Sequence, residues 1–280
     1  MNLLEAILLG IIQGITEFLP ISSTGHLTVS GKLLGLVNDD KQWTAFIAII
    51  QLGTLISILI YFWRDIINIS LDFLKENIFS RKNYKEQSLN SRLGWLIIIG
   101  TIPVVVIGLG FKDIIEGALT KNLYVISGSL IILAIILAAA EKTAKFKKDI
   151  KSIKVIDAIV IGIAQAVALI PGSSRSGTTI TGGLFMGLNR ETAARFSFLL
   201  SIPAIFASGV LQLYQSIEYF DGSGWVNVIA STIFSAVSGY MAIDFLLKYL
   251  RKNTTFLFIY YRIGLGLIIL ALLYLNIIQP

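Results

Sequence analysis

Two stretches of this 280-residue sequence set ionisable, amide and hydroxyl groups beside proline and glycine. The first runs from Gln13 through Glu17 to Pro20-Ile21-Ser22-Ser23-Thr24-Gly25-His26. The second is Pro171-Gly172-Ser173-Ser174-Arg175-Ser176-Gly177-Thr178-Thr179. Glu17 lies one helical turn after Gln13, so both side chains share a face. A carboxylate and an amide so placed can hold a divalent cation jointly or orient a nucleophile. Each Pro/Gly break offers hydroxyls and free backbone N–H groups at what would become a helix N-terminus, a setting suited to an anion and above all to phosphate. Arg175 adds a planar fork that grips phosphoryl oxygens and stabilises charge developing on them. Ser23, Ser174, Ser176 and Thr179 are the leading hydroxyls. His26, the one histidine in the chain, is a candidate base, acid or nucleophile.

A seam of small residues packing helices together would contain the same serines and glycines, but not Glu17, His26 and Arg175. The distinction matters because of where these groups lie. The chain is 55% hydrophobic and only 14% charged, against roughly a quarter charged in a soluble domain. The apolar residues fall in blocks near the ~20 residues that cross a bilayer core as a helix. A charge at that depth costs at least about 2.5–3.5 kcal/mol, and is a functional candidate by default. A structural Glu17–Arg175 pair is the plainer reading of the same two charges. The first apolar stretch lacks a basic n-region and a small-residue cleavage site, which argues against a removed signal peptide. No cysteine is present, so disulfides, thiolate nucleophiles and cysteine metal sites are excluded.

The elements that must position these residues are apolar segments at 3–30 (interrupted), 44–63, 93–111, 123–140, 155–188 (interrupted), 193–213, 225–247 and 255–276. The net charge of +6 sits in loops 64–92, 141–154 and 248–254, which the positive-inside rule assigns to the cytoplasm. This placement argues against nucleic acid as a partner. Loop 214–224 carries Glu218 and Asp221 without Lys or Arg, and loop 112–122 is balanced; both are expected outside. Asp65, Asp113, Asp157 and Asp244 sit at segment ends and read as interfacial, and Arg190 and Arg195 as span anchors.

Alternation between these loops requires an odd number of crossings in each interval. The simplest solution makes 3–30 a re-entrant hairpin from the outside and 155–188 one from the inside. The expected fold is an all-α polytopic membrane protein with six transmembrane helices plus two re-entrant helical hairpins. The hairpins also match in sequence. Gly10-Ile11-Ile12-Gln13 precedes Pro20 and Ser22-Ser23, and Gly162-Ile163-Ala164-Gln165 precedes Pro171 and Ser173-Ser174. Three spans lie between them, so the copies are inverted. Residues 1–280 then form one integral membrane domain, with inverted repeats at approximately 1–140 and 155–280 joined by the basic loop 141–154. Such repeats place a site near the midplane where their broken helices meet.

The strings Gln13-x-x-x-Glu17, Pro20-x-Ser22-Ser23-Thr24-Gly25-His26 and Pro171-Gly172-x-Ser174-Arg175-Ser176-Gly177 resemble the bacterial undecaprenyl-diphosphate phosphatase family, also called the bacitracin-resistance protein family. The likeness covers essentially the whole chain. It implies hydrolysis of undecaprenyl diphosphate to undecaprenyl phosphate and inorganic phosphate, recycling the lipid carrier for cell-wall synthesis and conferring bacitracin resistance. It also implies a multi-pass protein of the bacterial inner membrane, with a site open to the extracytoplasmic side. Mg²⁺ or Ca²⁺ is the expected cofactor, held by Glu17 and Gln13. Many members carry Glu at the position of Gln13, so a two-carboxylate metal site is not available in that form here. Catalysis is expected from Glu17, Ser23, His26 and Arg175, and substrate binding from Thr24, Ser173, Ser174, Ser176 and Thr179. Either Ser23 attacks, with Glu17 activating it or binding metal and His26 as acid/base, or His26 or water is the nucleophile. The expected partners are the polyprenyl diphosphate substrate and membrane lipids, with a homodimer left open.

Two neighbouring readings differ in chemistry. The type-2 phosphatidic-acid phosphatases carry a similar Ser-Gly-His element but use two histidines, and this chain has one. A secondary transporter or flippase of a phosphorylated lipid would use the same broken helices to hold the headgroup without cleaving it.

Overall fold

The computed structural model describes residues 1–37, 40–111, 122–216 and 219–279. Glu218, Asp113 and all of loop 112–122 except Asn122 lie outside the described residues. Among the described residues the chain folds into eleven α-helices: α1 (Leu3–Phe18), α2 (Ser23–Leu33), α3 (Asp40–Tyr61), α4 (Trp63–Leu74), α5 (Leu89–Gly110), α6 (Leu123–Thr143), α7 (Val155–Val167), α8 (Arg175–Phe185), α9 (Arg190–Ser216), α10 (Gly222–Leu250) and α11 (Phe256–Tyr274). Six of them, α3, α5, α6, α9, α10 and α11, are long and apolar enough to cross a bilayer. The protein is thus an all-helical, multi-pass membrane protein.

Local signals set the helix starts. Asn2 and Glu5 form a reciprocal capping box at α1, Ser88 caps α5 and Asn122 caps α6, each filling backbone donors that the first turn leaves open. The span expected at 44–63 ends at Tyr61, and a separate helix, α4, follows inside what reads as a charged loop. Its Ile66, Ile69 and Phe73 recur at helical spacing. Ile69 is buried, and the ring of Phe73 lies 5.2 Å from that of Trp95 on α5. Charge density along 64–92 conceals this apolar stripe.

Contacts at the ends fix the path of the broken segments. Met1 O accepts from Asn227 Nδ2 at the start of α10, and further along Ser231 and Ser238 of α10 donate to Ala6 O and Ile11 O. α1 therefore runs alongside α10 in the same direction. Gly14 makes this close approach possible, since a Cβ there would sit 2.4 Å from Ser235 O. Lys32, near the end of α2, donates to Gln279 O beyond α11. In the second half, Lys148 N donates to Gly187 O and Asn189 N donates to Lys148 O, so the stretch holding α7 and α8 begins and ends side by side. Gly162 lets α7 meet Gly100 of α5.

A continuous core containing Phe18, Ile58, Leu96, Leu137, Ile161, Phe196 and Ile243 joins the two halves. The ends are pinned by polar contacts. Arg190 Nε donates to Glu141 Oε1 at 2.7 Å, and Thr255 donates to the other oxygen. Arg195 pairs with Asp65, so both arginines anchor span ends as the sequence leads one to expect. Asp157 lies at a segment end, in the first turn of α7. It is fully buried, pairs with Lys148 at 2.7 Å and accepts from Lys154 N, because the loop before α7 folds over it.

Candidate active site

Each broken segment is built on the same local device. Pro20 and Pro171 lie between two helices, where each removes one backbone donor. Ser22 (φ 74°) and Ser174 (φ 66°) then sit in the left-handed region, which costs a non-glycine residue roughly 1–2 kcal/mol. Each is the N-cap of the helix that follows. Ser22 Oγ accepts from Gly25 N, and Ser174 Oγ from Gly177 N, both at 3.2 Å. Backbone strain of this kind persists where surrounding packing imposes it, and it clusters at functional sites. Among the described residues the earlier N–H groups of both first turns have no partner, and they are placed to receive an anion.

The two breaks meet. Arg175 Nη2 donates to Glu17 Oε1, and Ser176 Oγ donates to Leu19 O at 3.1 Å. Phe18 packs edge-on against Phe198, ring centres 5.3 Å apart. Glu17 is nearly buried (7% exposed), and its second oxygen, Oε2, accepts from Ser23 Oγ at 2.6 Å and from Gln13 Nε2 at 2.9 Å. One carboxylate thus joins an arginine from the second break to a serine and a glutamine from the first. A carboxylate at 2.6 Å from a hydroxyl is placed to take its proton.

These groups open onto a cavity of about 480 Å³. Glu17, Ser22, Ser23, Thr24, Ser173, Ser174 and Arg175 form part of its polar lining, with Gln51, Gln165 and Ser208. Its apolar wall comes from Val104, Val105 and Leu109 of α5, Ala168, Leu169 and Ile170 after α7, and Ala204, Ala207 and Leu211 of α9. Charge-handling groups at one end and a greasy wall beside them suit a ligand that is part anion and part hydrocarbon.

Four expected site residues lie behind this lining. Gln13 is fully buried beneath Glu17. Ser176 shares a hydrogen bond with Ser174 as well as holding Leu19. Thr179 is fully buried, donates to Arg175 O at 2.7 Å and contacts the Ser197 hydroxyl. Ser176 and Thr179 therefore brace the turn that carries Arg175. His26 turns towards α11. Its Nδ1 lies 2.7 Å from Ser22 O and its Nε2 2.7 Å from the Tyr261 hydroxyl, with the two rings stacked. A carbonyl only accepts, so Nδ1 carries a proton, and in the neutral ring Nε2 accepts from Tyr261. Both ring nitrogens are engaged, and His26 holds the carbonyl of the strained cap residue.

Arg262 is a member of this group that sequence reading did not single out. It is fully buried in α11, and its Nη2 donates to Ser173 O at 2.9 Å. Its Nε and Nη1 have no partner among the described residues. It places positive charge directly behind the turn that starts α8. An arginine inside the apolar block 255–276 is itself a signal. Tyr261 and Ser197 left no such mark, because only tertiary folding brings them here.

The donor set can be tested against a divalent cation. Among the described residues no group of three or more His, Cys, Asp or Glu side chains converges. Gln13 Oε1, next to Glu17, is a buried acceptor with no partner among the described residues. On the cavity lining, the Glu17 carboxylate together with ligand phosphates fits a hard cation that keeps part of its water, as Mg²⁺ does, while the Gln13 amide oxygen lies behind that lining.

A family model described as bacitracin resistance protein BacA matches residues 6–268. An undecaprenyl-diphosphatase of Syntrophobacter fumaroxidans is 56% identical over 268 residues, covering 95% of each chain. Proteins of the same description from Chloroherpeton thalassium and Chlorobium phaeovibrioides are 52% and 51% identical, the first over 98% of this chain and 97% of its own, the second over the full length of both.

Proposed function

The chain belongs to the bacitracin resistance protein BacA family, and from that premise we propose how it converts undecaprenyl diphosphate into undecaprenyl phosphate and inorganic phosphate. The observation that carries the mechanism is the shared carboxylate of Glu17, bonded to Ser23 on one oxygen and to Arg175 on the other. Ser23 Oγ attacks the terminal phosphorus and gives its proton to Glu17. The bond from that phosphorus to the bridging oxygen breaks, and undecaprenyl phosphate leaves with the electron pair. Its oxygen becomes part of a phosphate monoester, so no separate acid is needed. As Glu17 takes the proton it loses its charge, which frees Arg175 to hold the transferring phosphoryl oxygens. Water then attacks the phosphoseryl phosphorus and passes one proton to a phosphate oxygen. The bond from phosphorus to Ser23 Oγ breaks with the electron pair going to Oγ, Ser23 Oγ takes back the proton held by Glu17, and inorganic phosphate departs as dihydrogen phosphate.

Phosphoryl transfer needs mainly positioning and charge stabilisation. The α8 N-terminus, with Ser173 and Ser174, cradles the terminal phosphoryl, and Thr24 contributes from the α2 N-terminus. Arg262 supports this cradle from behind, and Ser176 and Thr179 hold its shape. Through Ser22 O, His26 acts as a positioning residue. Glu17, held from behind by Gln13, would share Mg²⁺ or Ca²⁺ with phosphate oxygens. When bound, the cation would neutralise part of the diphosphate charge.

The same reading places α1–α2 and α7–α8 as re-entrant hairpins of an inverted repeat in the bacterial plasma membrane. Support comes from the contacts that return each pair to its starting end. The cavity wall uses the last turns of α5 and the far half of α9, and α5 starts at the basic loop 64–92 while α9 starts beside the basic loop 141–154. The opening therefore faces away from the basic loops, towards the extracytoplasmic side.

Purified protein in detergent, given a polyprenyl diphosphate and Mg²⁺, is expected to release phosphate, and Glu17→Gln is expected to abolish the release. Wild-type protein that releases none, but moves the lipid across vesicle membranes, would replace hydrolysis with transport.

A further inference from the structure

Gln165 lies in the last turn of α7 and lines the cavity with Glu17, Ser23 and Arg175. It is 1% exposed, and neither its Nε2 nor its Oε1 has a hydrogen-bond partner among the described residues. A primary amide offers two donors and two acceptor lone pairs, and buried side-chain polar groups are satisfied in the large majority of cases. An amide held so deep with nothing to bond is therefore an anomaly of the kind that marks a ligand contact.

Its counterpart in the first half shows what is missing. Gln13 and Gln165 stand at the same place in the matching strings Gly-Ile-x-Gln. Gln13 Nε2 donates to Glu17 one turn later. One turn after Gln165 the residue is Leu169, which offers no acceptor. The second copy keeps the amide and lacks the carboxylate that would occupy it. It also sits where the polar and apolar linings adjoin, since Ala168, Leu169 and Ile170 follow it directly on the cavity wall.

We infer that Gln165 binds the substrate through its amide N–H groups, which donate to the phosphate nearer the hydrocarbon chain. This inference rests on the phosphatase reading and adds a binding group to it. Ser23, Arg175 and the α8 N-terminus take the terminal phosphoryl, and Gln165 takes the inner one. The donor then recognises a diphosphate over inorganic phosphate, because only the diphosphate fills both positions.

The test uses purified full-length protein in detergent, with Gln165→Leu and the isosteric Gln165→Glu. The measurements are KM and kcat for farnesyl diphosphate, the inhibition constant of inorganic phosphate, and thermal stability without ligand. Gln165→Leu is expected to raise KM for the diphosphate about tenfold or more, as loss of a hydrogen bond to a charged group does, and to leave the phosphate inhibition constant unchanged. Gln165→Glu should raise KM further by repelling the anion. Stability of Gln165→Leu should hold or rise, since an apolar isostere replaces an unpaired buried amide. An unchanged KM in both variants would overturn the inference, as would loss of stability together with parallel weakening of both ligands. The phosphatase reading fails separately: it falls if the wild-type protein in the same assay releases no phosphate.

Discussion

The two broken segments use one backbone device to carry opposite chemistry. In each, a serine with positive φ caps the next helix by accepting from the third residue along, Gly25 N or Gly177 N. Around that shared frame the first segment supplies a carboxylate and the hydroxyl bonded to it, Glu17 and Ser23. The second supplies the cation, Arg175, and a turn backed by a buried arginine, Arg262. Neither half is a site alone. The first would leave a nearly buried carboxylate without its counter-charge, and the second a cationic cradle with no nucleophile. On the proposed mechanism, their difference teaches that the shared turn geometry sets where an anion would sit, and that the residues by which the two segments differ divide attack from charge stabilisation.

The largest expected effects come from breaking that division of labour. Ser23→Ala and Glu17→Gln should each lower kcat by about 10³-fold or more, as removal of a nucleophile or its base does. Because the two act as a unit, the double variant should lose little beyond either single one. Phosphate release measured in detergent checks both. Arg175→Lys retains charge but loses the fork, and a fall in kcat/KM of about 10²-fold is expected.

Equivalent glycines offer a sharper contrast. A Cβ on Gly177 would lie 2.6 Å from Nη1 of the fully buried Arg262, whereas on Gly25 its nearest neighbour is 3.4 Å away. Gly177→Ala should therefore lower thermal stability and activity together, by about 1–3 kcal/mol in stability from overpacking. Gly25→Ala should be tolerated within about 1 kcal/mol, and equal losses at both positions would break the contrast. The smallest effect concerns the caps. Ser22→Gly and Ser174→Gly each remove a side-chain acceptor but relieve the left-handed strain, so thermal stability should shift by only a few tenths of a kcal/mol. A large loss at one cap alone would mean the two breaks are not built alike.

Much of this was legible in the sequence because charge is costly inside an apolar block. Glu17 and Arg175 stand out for that reason, and the matching of Gln13 with Gln165 and Ser22-Ser23 with Ser173-Ser174 ties the two breaks together before any contact is known. The chain could not reveal which hydroxyls face the cavity. Ser176 and Thr179 belong to the same motif as Ser174, yet helix geometry turns them onto Leu19 and Arg175 backbone oxygens. The chain also gave no sign that Tyr261, 235 residues away in sequence, meets Nε2 of His26. Arg262 reads as an interruption in a span until folding sets it behind Ser173. Helix α4 is masked by the basic residues that surround it.

Trapping the covalent intermediate tests the Glu17–Ser23–Arg175 assignment most directly. Protein mixed with a polyprenyl diphosphate labelled on its terminal phosphate, quenched within milliseconds and digested for mass spectrometry, should carry the label on Ser23. Glu17→Gln should carry none. Label on His26 or another residue, or full turnover by Ser23→Ala, would contradict it.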